Sequence, residues 1–484
     1  MDQGRPPHIV IVGGGIAGLA AAHRLQELSR ERELPLRFTL LEASGRVGGT
    51  LGTEHRDGFL LELGPDSFIS EKPWALALCR RIGLESELIG TRDEHRATFV
   101  VHNGKLELLP EGFMLLAPTK FGPLLRSRLF SWPGKLRMAL EFVLPRGPQQ
   151  EDESLGSFVR RRFGREVLER VAQPLIGGIY TADPDYLSLA ATMPRFLQME
   201  REHRSVIAVL WKANRSRPQE AKSTSGVRWS LFVSLRNGMQ TLVDTLTARL
   251  SLGHIHQHCA VTQLGRTDGQ WSVACTDGRT FFADGVILAT PPFQTAPLVR
   301  RLDPQLAEHL ATIRYSSAAT VNLAFRRDQI PHPLNGFGFV VPHVENRKII
   351  ACSFSSVKYA DRAPEGYVLL RAFVGGSLQA ELFNLDDAEM EQVVRHELAT
   401  FLGIHTAPLF VHIARYPQSM PQYRVGHLRL VETIDKLVVQ HPGLALAGNA
   451  YRGVGIADCV RSGEAAAESV LNQITQNPSS NSPR

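Results

Sequence analysis

A glycine-rich turn near the N-terminus constrains the fold of this chain more than any other feature. The pattern GxGxxG spans Gly13–Gly18, directly after the β-branched run His8–Val12 and directly before the helical pattern Leu19–Leu28. A second apolar run, Leu36–Leu41, follows. Strand, glycine turn, helix and strand predict a Rossmann-type βαβ unit, whose turn lets the backbone approach a dinucleotide pyrophosphate.

Two further features favour FAD over NAD. Glu42 ends the second predicted strand, 24 residues after Gly18, where a carboxylate binds the ribose hydroxyls. The next turn, Ala43–Thr50, contains Arg46 and the pair Gly48–Gly49. An arginine before two glycines can place a cation on the pyrophosphate and leave room for the flavin linker. NAD-binding domains do not need this second turn.

The rest of the predicted cofactor site lies far away in the sequence. Gly64–Ser67 forms a sharp turn where backbone can lie against a flat ring, and Gly448–Ile456 is a glycine-rich turn before a helix predicted from about Asp458 to Gln473. The N-terminus of that helix would face the electron-rich edge of the flavin. The predicted FAD-binding residues are Gly13, Gly15, Ile16, Ala17, Gly18, Glu42, Ala43, Arg46, Gly48, Gly49, Thr50, Gly64, Pro65, Asp66, Ser67, Val261, Gly448, Val454, Gly455 and Ile456.

Composition excludes several classes of protein. A chain of 484 residues exceeds what one core usually holds, so several domains are expected. With 43% hydrophobic and 21% charged residues, it is neither a disordered chain nor a disulfide scaffold. Five cysteines, distant in sequence and without a CxxC pair, argue for a reducing compartment and against a zinc site or a thiol redox centre. A net charge of +6 leaves an acidic substrate, an anionic membrane surface and nucleic acid open.

The expected location is the cytoplasm. The N-terminus lacks the pattern of a signal peptide, and the longest apolar run, Ile9–Ala22, is shorter than the roughly 20 residues of a spanning helix. The segment 113–137 interleaves basic with apolar and aromatic residues. That pattern suits a membrane-surface element, a substrate mouth, or helices packed on a neighbouring domain.

The sequence resembles the FAD-dependent porphyrinogen oxidases, within the wider flavin amine oxidase group, from His8 to about Gln473. Residues 110–135 are most similar to the soluble, Gram-positive-type members. The more specific marks are LIGGIYTADP at 175–184, LRNGM at 235–239, GFGF at 336–339, PQYRVGH at 421–427, and the segment 448–459.

This resemblance implies an α/β fold with α+β parts: a Rossmann-type FAD domain, a mixed-sheet substrate domain and an inserted helical domain. Strand-like runs at 320–325, 337–341 and 367–374 and a helix at 386–401 fit the substrate domain, and residues 215–226 are predicted to form a loop. The expected boundaries are 1–88, 229–297 and 432–475 for the FAD domain; 89–107, 201–228 and 298–431 for the substrate domain; 108–200 for the helical domain; and 476–484 for a disordered tail.

The resemblance also implies residues around a tetrapyrrole substrate. By match to the family's motifs, Gly178, Val340 and Phe373 are expected there, Phe373 by stacking and Val340 by apolar contact. Val340 and Phe373 suit the core of a strand equally well. No metal ligand and no catalytic side chain is expected, because the flavin carries the chemistry.

One substrate contact differs from the family's pattern. Eukaryotic members have an arginine, thought to pair with a propionate, where this chain has Thr98. A strand predicted from Arg96 to Val101 would put Arg96 on the same face as Thr98, so Arg96 is a candidate for that charge. A second difference is Asp66, which stands where many members have asparagine.

The activity that the resemblance implies is the oxidation of a porphyrinogen to a porphyrin. Six hydrogens leave in three flavin cycles, each hydride passing from a meso carbon to flavin N5 and each cycle closed by oxygen with release of hydrogen peroxide. Coproporphyrinogen III is favoured over protoporphyrinogen IX by the Gram-positive resemblance and by Thr98. The oligomeric state stays open, and nucleic acid has no support as a partner.

Two other functions are compatible with the scaffold. An amine oxidase or desaturase would use the same FAD domain, but amine oxidases usually build an aromatic pair before the flavin, and Tyr451 has no second aromatic residue beside it. A flavin-free binding module reuses the architecture without cofactor, but Arg46, Gly48 and Gly49 argue against it.

Overall fold

A five-stranded parallel sheet carries the first glycine-rich turn. The computed structural model describes residues 5–114, 116–147, 150–215 and 231–476 of the chain. Because helices cover both faces, the strands are nearly continuous apolar runs, as parallel strands usually are. In spatial order the strands are Gly253–His256, Arg37–Leu41, His8–Val12, Gly285–Leu288 and Leu444–Leu446.

Two helices pack against each other on one face of this sheet, and both extend the predicted ranges. Ile16–Glu31 begins directly after Gly15, and Ile456–Gln476 follows the C-terminal glycine turn. They come so close that a Cβ on Gly463 would lie 2.1 Å from the Ala17 carbonyl oxygen. Glycine is therefore required at this crossing.

Smaller elements surround the cofactor side of the sheet. Two antiparallel sheets and one hairpin connect the parallel strands to the rest of the chain. Their strands are Phe68–Ile69, Phe232–Leu235 and Leu88–Gly90; Val261–Thr267, Gln270–Cys275 and Thr280–Ala283; and Thr53–Arg56 with Phe59–Glu62. The helices here are Pro73–Arg81, Gln240–Arg249, Pro292–Val299, Pro304–Ala311 and His427–Val438.

A seven-stranded mixed sheet forms the second layer, and the helix Asp387–Leu402 packs on one of its faces. The three strand-like runs predicted from the sequence all belong to it. In spatial order its strands are Phe410–Pro421, Tyr315–Arg326, Tyr367–Gly375, Ala351–Ser353, Gly338–Val340, Thr98–His102 and Lys105–Leu108.

The described residues from Phe121 to Arg215 are mainly helical and contribute most of a separate apolar core. A fully buried ion pair joins Arg162 to Glu141, which also accepts from the amide of Val206 over 2.8 Å. The strands Phe113–Met114 and Ala117–Pro118 pair in antiparallel fashion, where a helix was expected. The helices are Phe121–Arg126, Trp132–Ala139, Leu155–Arg162, Arg165–Val167, Gln173–Tyr180, Leu189–Thr192, Pro194–His203 and Val206–Arg215.

The α/β and α+β fold class is confirmed, and one predicted strand is wrong at its start. The strand begins at Thr98. Arg96 caps a short 3₁₀ turn, and its φ of −67° and ψ of 1° are not those of an extended strand. The alternation of faces along a strand therefore does not reach Arg96. The loop predicted at 215–226 lies, from 216 on, outside the described residues, as do residues 477–484 of the predicted tail. The division into three domains stays a prediction.

Candidate active site

The two N-terminal glycine turns lie directly against each other. The amide of Gly48 donates to the carbonyl of Gly14 over 2.7 Å, and Gly15 and Gly48 pair as an isolated parallel bridge. Gly13 has φ of +104°, and a side chain there would lie 3.0 Å from the Ala289 carbonyl oxygen. The sequence predicted both turns, and the structure shows that they form one surface.

The first turn of the helix Ile16–Glu31 completes this surface. Ile16, Ala17 and Gly18 form that turn, so their amides have no partner within the helix and face the groove, where an anion is stabilised. Gly18 is required for packing, because a Cβ there would lie 2.0 Å from the Gly13 carbonyl oxygen.

Glu42 is held in place by hydrogen bonds rather than left in solvent. One carboxylate oxygen accepts from the Gly14 amide over 2.7 Å, and the other accepts from the Ser44 amide over 2.8 Å. The backbone of Glu42 donates to the His256 carbonyl over 2.8 Å, and the chain then continues to Val261 at the start of its strand. The carboxylate is thus fixed between the two turns, and its binding of a ribose stays a prediction.

Two glycines of the predicted cofactor turns border open space, which we call the groove. A Cβ built on Gly15 or on Gly448 would meet no atom within 4 Å, so these glycines are not required by packing within the protein. Arg46 donates to the carbonyls of Leu51 over 2.8 Å and Gly49 over 2.7 Å, which braces the second turn. Its contact with a pyrophosphate stays a prediction. The exposed residues of the second turn include Ala43, Gly45, Arg46, Gly49 and Thr50.

The turn 64–67 approaches the second glycine turn from the other side. A Cβ on Gly64 would lie 1.7 Å from the Thr50 carbonyl oxygen, so only glycine allows this approach. The Gly64 carbonyl accepts a hydrogen bond from the buried guanidinium of Arg371, and the next residue, Pro65, is exposed. Arg371 therefore fixes the turn from the seven-stranded sheet.

Glu62 anchors the strand before this turn. Its carboxyl accepts from the Thr53 hydroxyl over 2.8 Å and from the Met239 amide over 2.9 Å. Burial raises its pKa to about 7, against the lowering effect of these hydrogen bonds. Gly238 has φ of +88° and packs on Thr53. The LRNGM motif thus has a structural role that its sequence alone did not reveal.

The unusual Asp66 has a partly buried partner, Lys358. Lys358, at the end of the helix Ser355–Lys358, donates to both Asp66 oxygens over 3.0 and 3.3 Å, and Ser67 donates to Asp66 over 2.6 Å. Burial raises the pKa of Asp66, but the charges of Lys358 and Arg371 outweigh it, so that pKa lies below its usual range. Burial lowers the pKa of Lys358, and Asp66 raises it by more.

The C-terminal glycine turn leads into the long helix. Gly448 has φ of +126°, and its amide donates to the Ser462 hydroxyl over 3.0 Å. Val454 and Gly455 follow, and the helix Ile456–Gln476 begins at the turn. Val454 and Val340 both pack against the apolar cluster of the helical segment.

Two side chains of the PQYRVGH motif bind the backbone of the turn 448–456. The Tyr423 hydroxyl donates to the Asn449 carbonyl and accepts from the Gly453 amide over 2.9 Å. The ring of His427 stacks on Tyr423 with centroids 4.0 Å apart, and its Nε2 donates to the Tyr451 carbonyl over 3.0 Å. The motif was recognisable in the sequence, but its contacts were not.

We expect His427 to make the protein less stable in mild acid. Burial lowers its pKa to about 4, whereas an unfolded chain binds a proton near 6.5. The unfolded state therefore takes up more protons between pH 6.5 and 4, so the free energy of unfolding falls across that window, by up to about 3 kcal/mol.

The variant His427→Gln isolates this effect, because the other histidines titrate equally in both proteins. Urea unfolding at a series of pH values should show a steeper loss in the unsubstituted protein. Equal slopes would contradict a neutral, buried His427.

One row of directly opposed residues crosses the seven-stranded sheet and faces the cofactor turns. Thr320, Phe373, Ala351, Val340 and Val100 pair in that order. Opposed residues share a face of a sheet, and the Thr320 hydroxyl donates to the carbonyl that precedes Gly64, over 2.9 Å. The face is therefore the one that meets the turn 64–67.

The predicted substrate residues Phe373 and Val340 are half-buried on this face, whereas their neighbours Ala372 and Phe339 are fully buried on the other. The next row places Thr98 on the same face as Arg371. Val340 also packs against the apolar cluster of the helical segment, so the role of Val340 and Phe373 as a substrate wall stays a prediction.

Gly178 lies in the helix Gln173–Tyr180, which packs against the strand of Val340. A Cβ on Gly178 would meet no atom within 4 Å, so the residue borders open space. Arg96 is exposed and outside the strand, so the geometry that suggested it as a substrate ligand is wrong. A substrate role for Arg96 stays a prediction without that support.

The comparisons with known proteins agree with these features. The family model for flavin containing amine oxidoreductases matches residues 16–471. The chain is 37% identical to the coproporphyrinogen III oxidase of Bacillus subtilis (strain 168), covering 98% of this chain and 100% of that protein. It is 28% identical to protoporphyrinogen oxidase 2, chloroplastic/mitochondrial, of Arabidopsis thaliana, covering 96% and 94%. A crystal structure from Exiguobacterium sp. 255-15, provisionally assigned as a protoporphyrinogen oxidase, has a TM-score of 0.83 at 33% identity, covering 96% of this chain and 99% of that one.

Proposed function

The chain belongs to the family of flavin-containing amine oxidoreductases, and we propose that it oxidises coproporphyrinogen III to coproporphyrin III with oxygen as acceptor. It is an FAD-dependent oxidoreductase. The observation that carries the choice of substrate is its full-length similarity to the coproporphyrinogen III oxidase of Bacillus subtilis. The protoporphyrinogen oxidases of plants are less similar along the same length.

Each part of the groove has a role in holding FAD. The amides of the turn Gly13–Gly18 bind the pyrophosphate, and Glu42 binds the ribose hydroxyls. The turns 64–67 and 448–456 enclose the ring, with Arg371 and Tyr423 behind them. When bound, FAD supplies the chemistry by accepting a hydride from a carbon of the substrate.

The substrate wall selects an apolar macrocycle and keeps water away from the reacting carbon. Phe373 offers an aromatic face and Val340 an aliphatic one, and Gly178 leaves room opposite them. Thr98 supplies a neutral hydroxyl on the same face. Thr98 stands where eukaryotic members have an arginine, so this contact differs from that of the two-propionate enzymes.

The alternative functions have less support. Tyr451 is 5% exposed and packs within the core of the nucleotide-binding sheet, so it does not stand before the flavin as an amine oxidase aromatic would. A flavin-free binding module has no need for the open groove at Gly15 and Gly448. A purified protein that is colourless and cannot take up FAD would contradict the oxidase function.

We expect coproporphyrinogen III to bleach the bound flavin without oxygen. Conversion of one porphyrinogen to a porphyrin releases six hydrogens as three two-electron transfers, so about one third of an equivalent should bleach the whole flavin absorbance. Anaerobic titration followed by absorbance measures this endpoint. Failure to bleach at several equivalents would contradict the proposed reaction.

We further propose that the enzyme contacts an anionic membrane surface through an apolar stripe, defined as Trp132, Leu136, Leu140 and Val143. The four side chains recur along one face of consecutive helical turns and are 66%, 66%, 52% and 67% exposed. Lys135 lies beside Trp132, with its Nζ 4.8 Å from the ring centroid. Tryptophan with lysine and aliphatic residues is typical of helices that lie in a membrane interface.

Part of the segment 113–137 packs inward or pairs, as the packed-helix alternative expected, whereas Leu125 is 52% exposed. The segment's apolar residues Leu116, Leu124 and Phe130 are buried. Lys120 pairs with Glu111, and Arg137 donates to backbone carbonyls. No helix among the described residues meets the length and apolarity needed to span a bilayer.

We expect Leu136→Glu to weaken binding to vesicles that contain anionic lipid. The change removes about 1.5–3 kcal/mol of apolar burial, or roughly tenfold or more in partitioning. Co-sedimentation measures the bound fraction, with Val439→Glu as the control because Val439 is 73% exposed outside the stripe. Equal binding of the two variants would contradict the membrane contact.

A further inference from the structure

A pair of cysteines distant in sequence meets beside the adenosine end of the FAD groove. Cys259 is 1% exposed and Cys275 is 6% exposed, and the antiparallel hairpin of Val261–Thr267 with Gln270–Cys275 brings them together. Their sulfur atoms and a carboxylate oxygen of Asp277 lie within 4.8 Å of one another. Both cysteines are free thiols. The proposed reaction uses neither of them.

The carboxylate at this cluster is already oriented. Arg279 donates to one Asp277 oxygen through Nε over 2.8 Å and through Nη2 over 2.5 Å, and its amide donates to the other oxygen over 3.0 Å. The same guanidinium lies 3.0 Å from Nδ1 of His256. Carboxylates that bind metal ions are commonly held by such partners.

We propose that Cys259, Cys275 and Asp277 bind a thiophilic divalent metal ion of the zinc class. Two thiolates and a carboxylate are a ligand set that zinc accepts, with water in the fourth position. The exposed Asp277 gives the ion a path from solvent to the buried sulfurs. Two thiolates, one carboxylate and the dication leave one negative charge, which Arg279 balances.

Metal binding must release protons. A metal ion binds the thiolate form of cysteine, so each thiol gives up its proton when the ion binds. One ion binds two sulfurs, and their two protons leave to solvent. Apparent affinity should therefore rise about 100-fold per pH unit.

The site is connected to the cofactor groove through the backbone. The Cys259 amide donates to the Glu42 carbonyl over 2.8 Å, and the His258 amide donates to the Ser44 carbonyl over 3.0 Å. An ion that joins Cys259 to the hairpin at 275–277 holds this segment against the ribose-binding carboxylate. We expect it to slow the loss of FAD.

The test uses holoenzyme whose cysteine thiols are kept reduced and whose bound metal has been removed with a chelator. This protein is titrated with Zn²⁺, and separately with Cd²⁺ as a spectroscopic probe of thiolate ligation. The expected result is one ion per chain, two protons released, and affinity at least tenfold lower in Asp277→Asn. Cys79→Ser is the matched control, since Cys79 is a buried thiol outside the cluster. That variant should bind like the unsubstituted protein.

A double variant, Cys259→Ser with Cys275→Ser, should lose the ion and lose FAD at the same rate with or without Zn²⁺. If the double variant does not fold, a second measurement takes its place. It asks whether Zn²⁺ protects Cys259 and Cys275 from alkylation in the unsubstituted protein. The proposal is overturned if the unsubstituted protein binds no ion above Asp277→Asn, if Zn²⁺ leaves both thiols open to alkylation, or if it leaves FAD loss unchanged.

Discussion

Gly15→Val is expected to give a folded protein that does not retain FAD. The backbone of Gly15 is extended, with φ of −68° and ψ of 176°, which a β-branched residue adopts readily. A Cβ there meets no protein atom within 4 Å. The valine side chain would instead occupy the space where the pyrophosphate approaches the backbone, and FAD affinity should fall by more than about 100-fold, or about 3 kcal/mol.

Two controls separate loss of cofactor from loss of fold. Gly122→Val also places a side chain where no atom lies within 4 Å, but in the helix Phe121–Arg126, outside the predicted cofactor turns, and should keep FAD. Gly18→Ala should lower thermal stability, because its Cβ would lie 2.0 Å from a carbonyl oxygen. Flavin content after gel filtration and circular dichroism measure the two effects. Stoichiometric FAD in Gly15→Val would show that the fingerprint is misplaced.

Lys358→Met is expected to destabilise the holoenzyme strongly. It leaves the carboxylate of Asp66, which is 19% exposed, without its cation. Breaking a fully buried pair on one side costs about 3–5 kcal/mol, so we expect about 2–3 kcal/mol for this partly exposed pair. The free energy of unfolding in urea measures this loss. Since Asp66 belongs to the turn 64–67, FAD should also dissociate faster.

The double variant Asp66→Asn with Lys358→Met should recover most of that stability, because it removes both charges. The pair also sets a pH dependence. The folded-state pKa of Asp66 is depressed, so its stabilising contribution is present above the unfolded pKa near 3.9 and is lost as pH falls further. A double variant as unstable as Lys358→Met would contradict a coupled pair.

Local sequence patterns predicted the nucleotide-binding half well. The strand His8–Val12 has the predicted bounds, and the helix after it extends the predicted range at both ends. Glycine spacing, apolar runs and a strand-end carboxylate are all constraints between neighbours in the chain. They suffice because a Rossmann-type turn is built from contiguous residues.

Contacts between distant residues could not be predicted in this way. Asp66 and Lys358 are 292 positions apart, so the sequence showed an unusual acid without its partner. Cys259 and Cys275 seemed isolated because their meeting depends on the register of a hairpin. Arg96 was misplaced because a short 3₁₀ turn precedes the strand and breaks the alternation of faces.

The position of the substrate wall also could not be predicted from neighbouring residues alone. Phe373 and Val340 alternate with core residues along their strands, and which set faces the groove depends on the packing of a helix on the other face. The motif at 421–427 marked the family, but its support of the turn 448–456 needs two separate segments in contact.

The most direct test of the proposed function is the specificity constant for two substrates under air. Porphyrin fluorescence would follow the oxidation of coproporphyrinogen III and of protoporphyrinogen IX by the FAD-bound enzyme, with hydrogen peroxide measured in parallel. We expect the higher kcat/KM for coproporphyrinogen III, with three peroxides per porphyrin. A much higher kcat/KM for protoporphyrinogen IX would contradict the proposed substrate, and no porphyrin from either would contradict the proposed reaction.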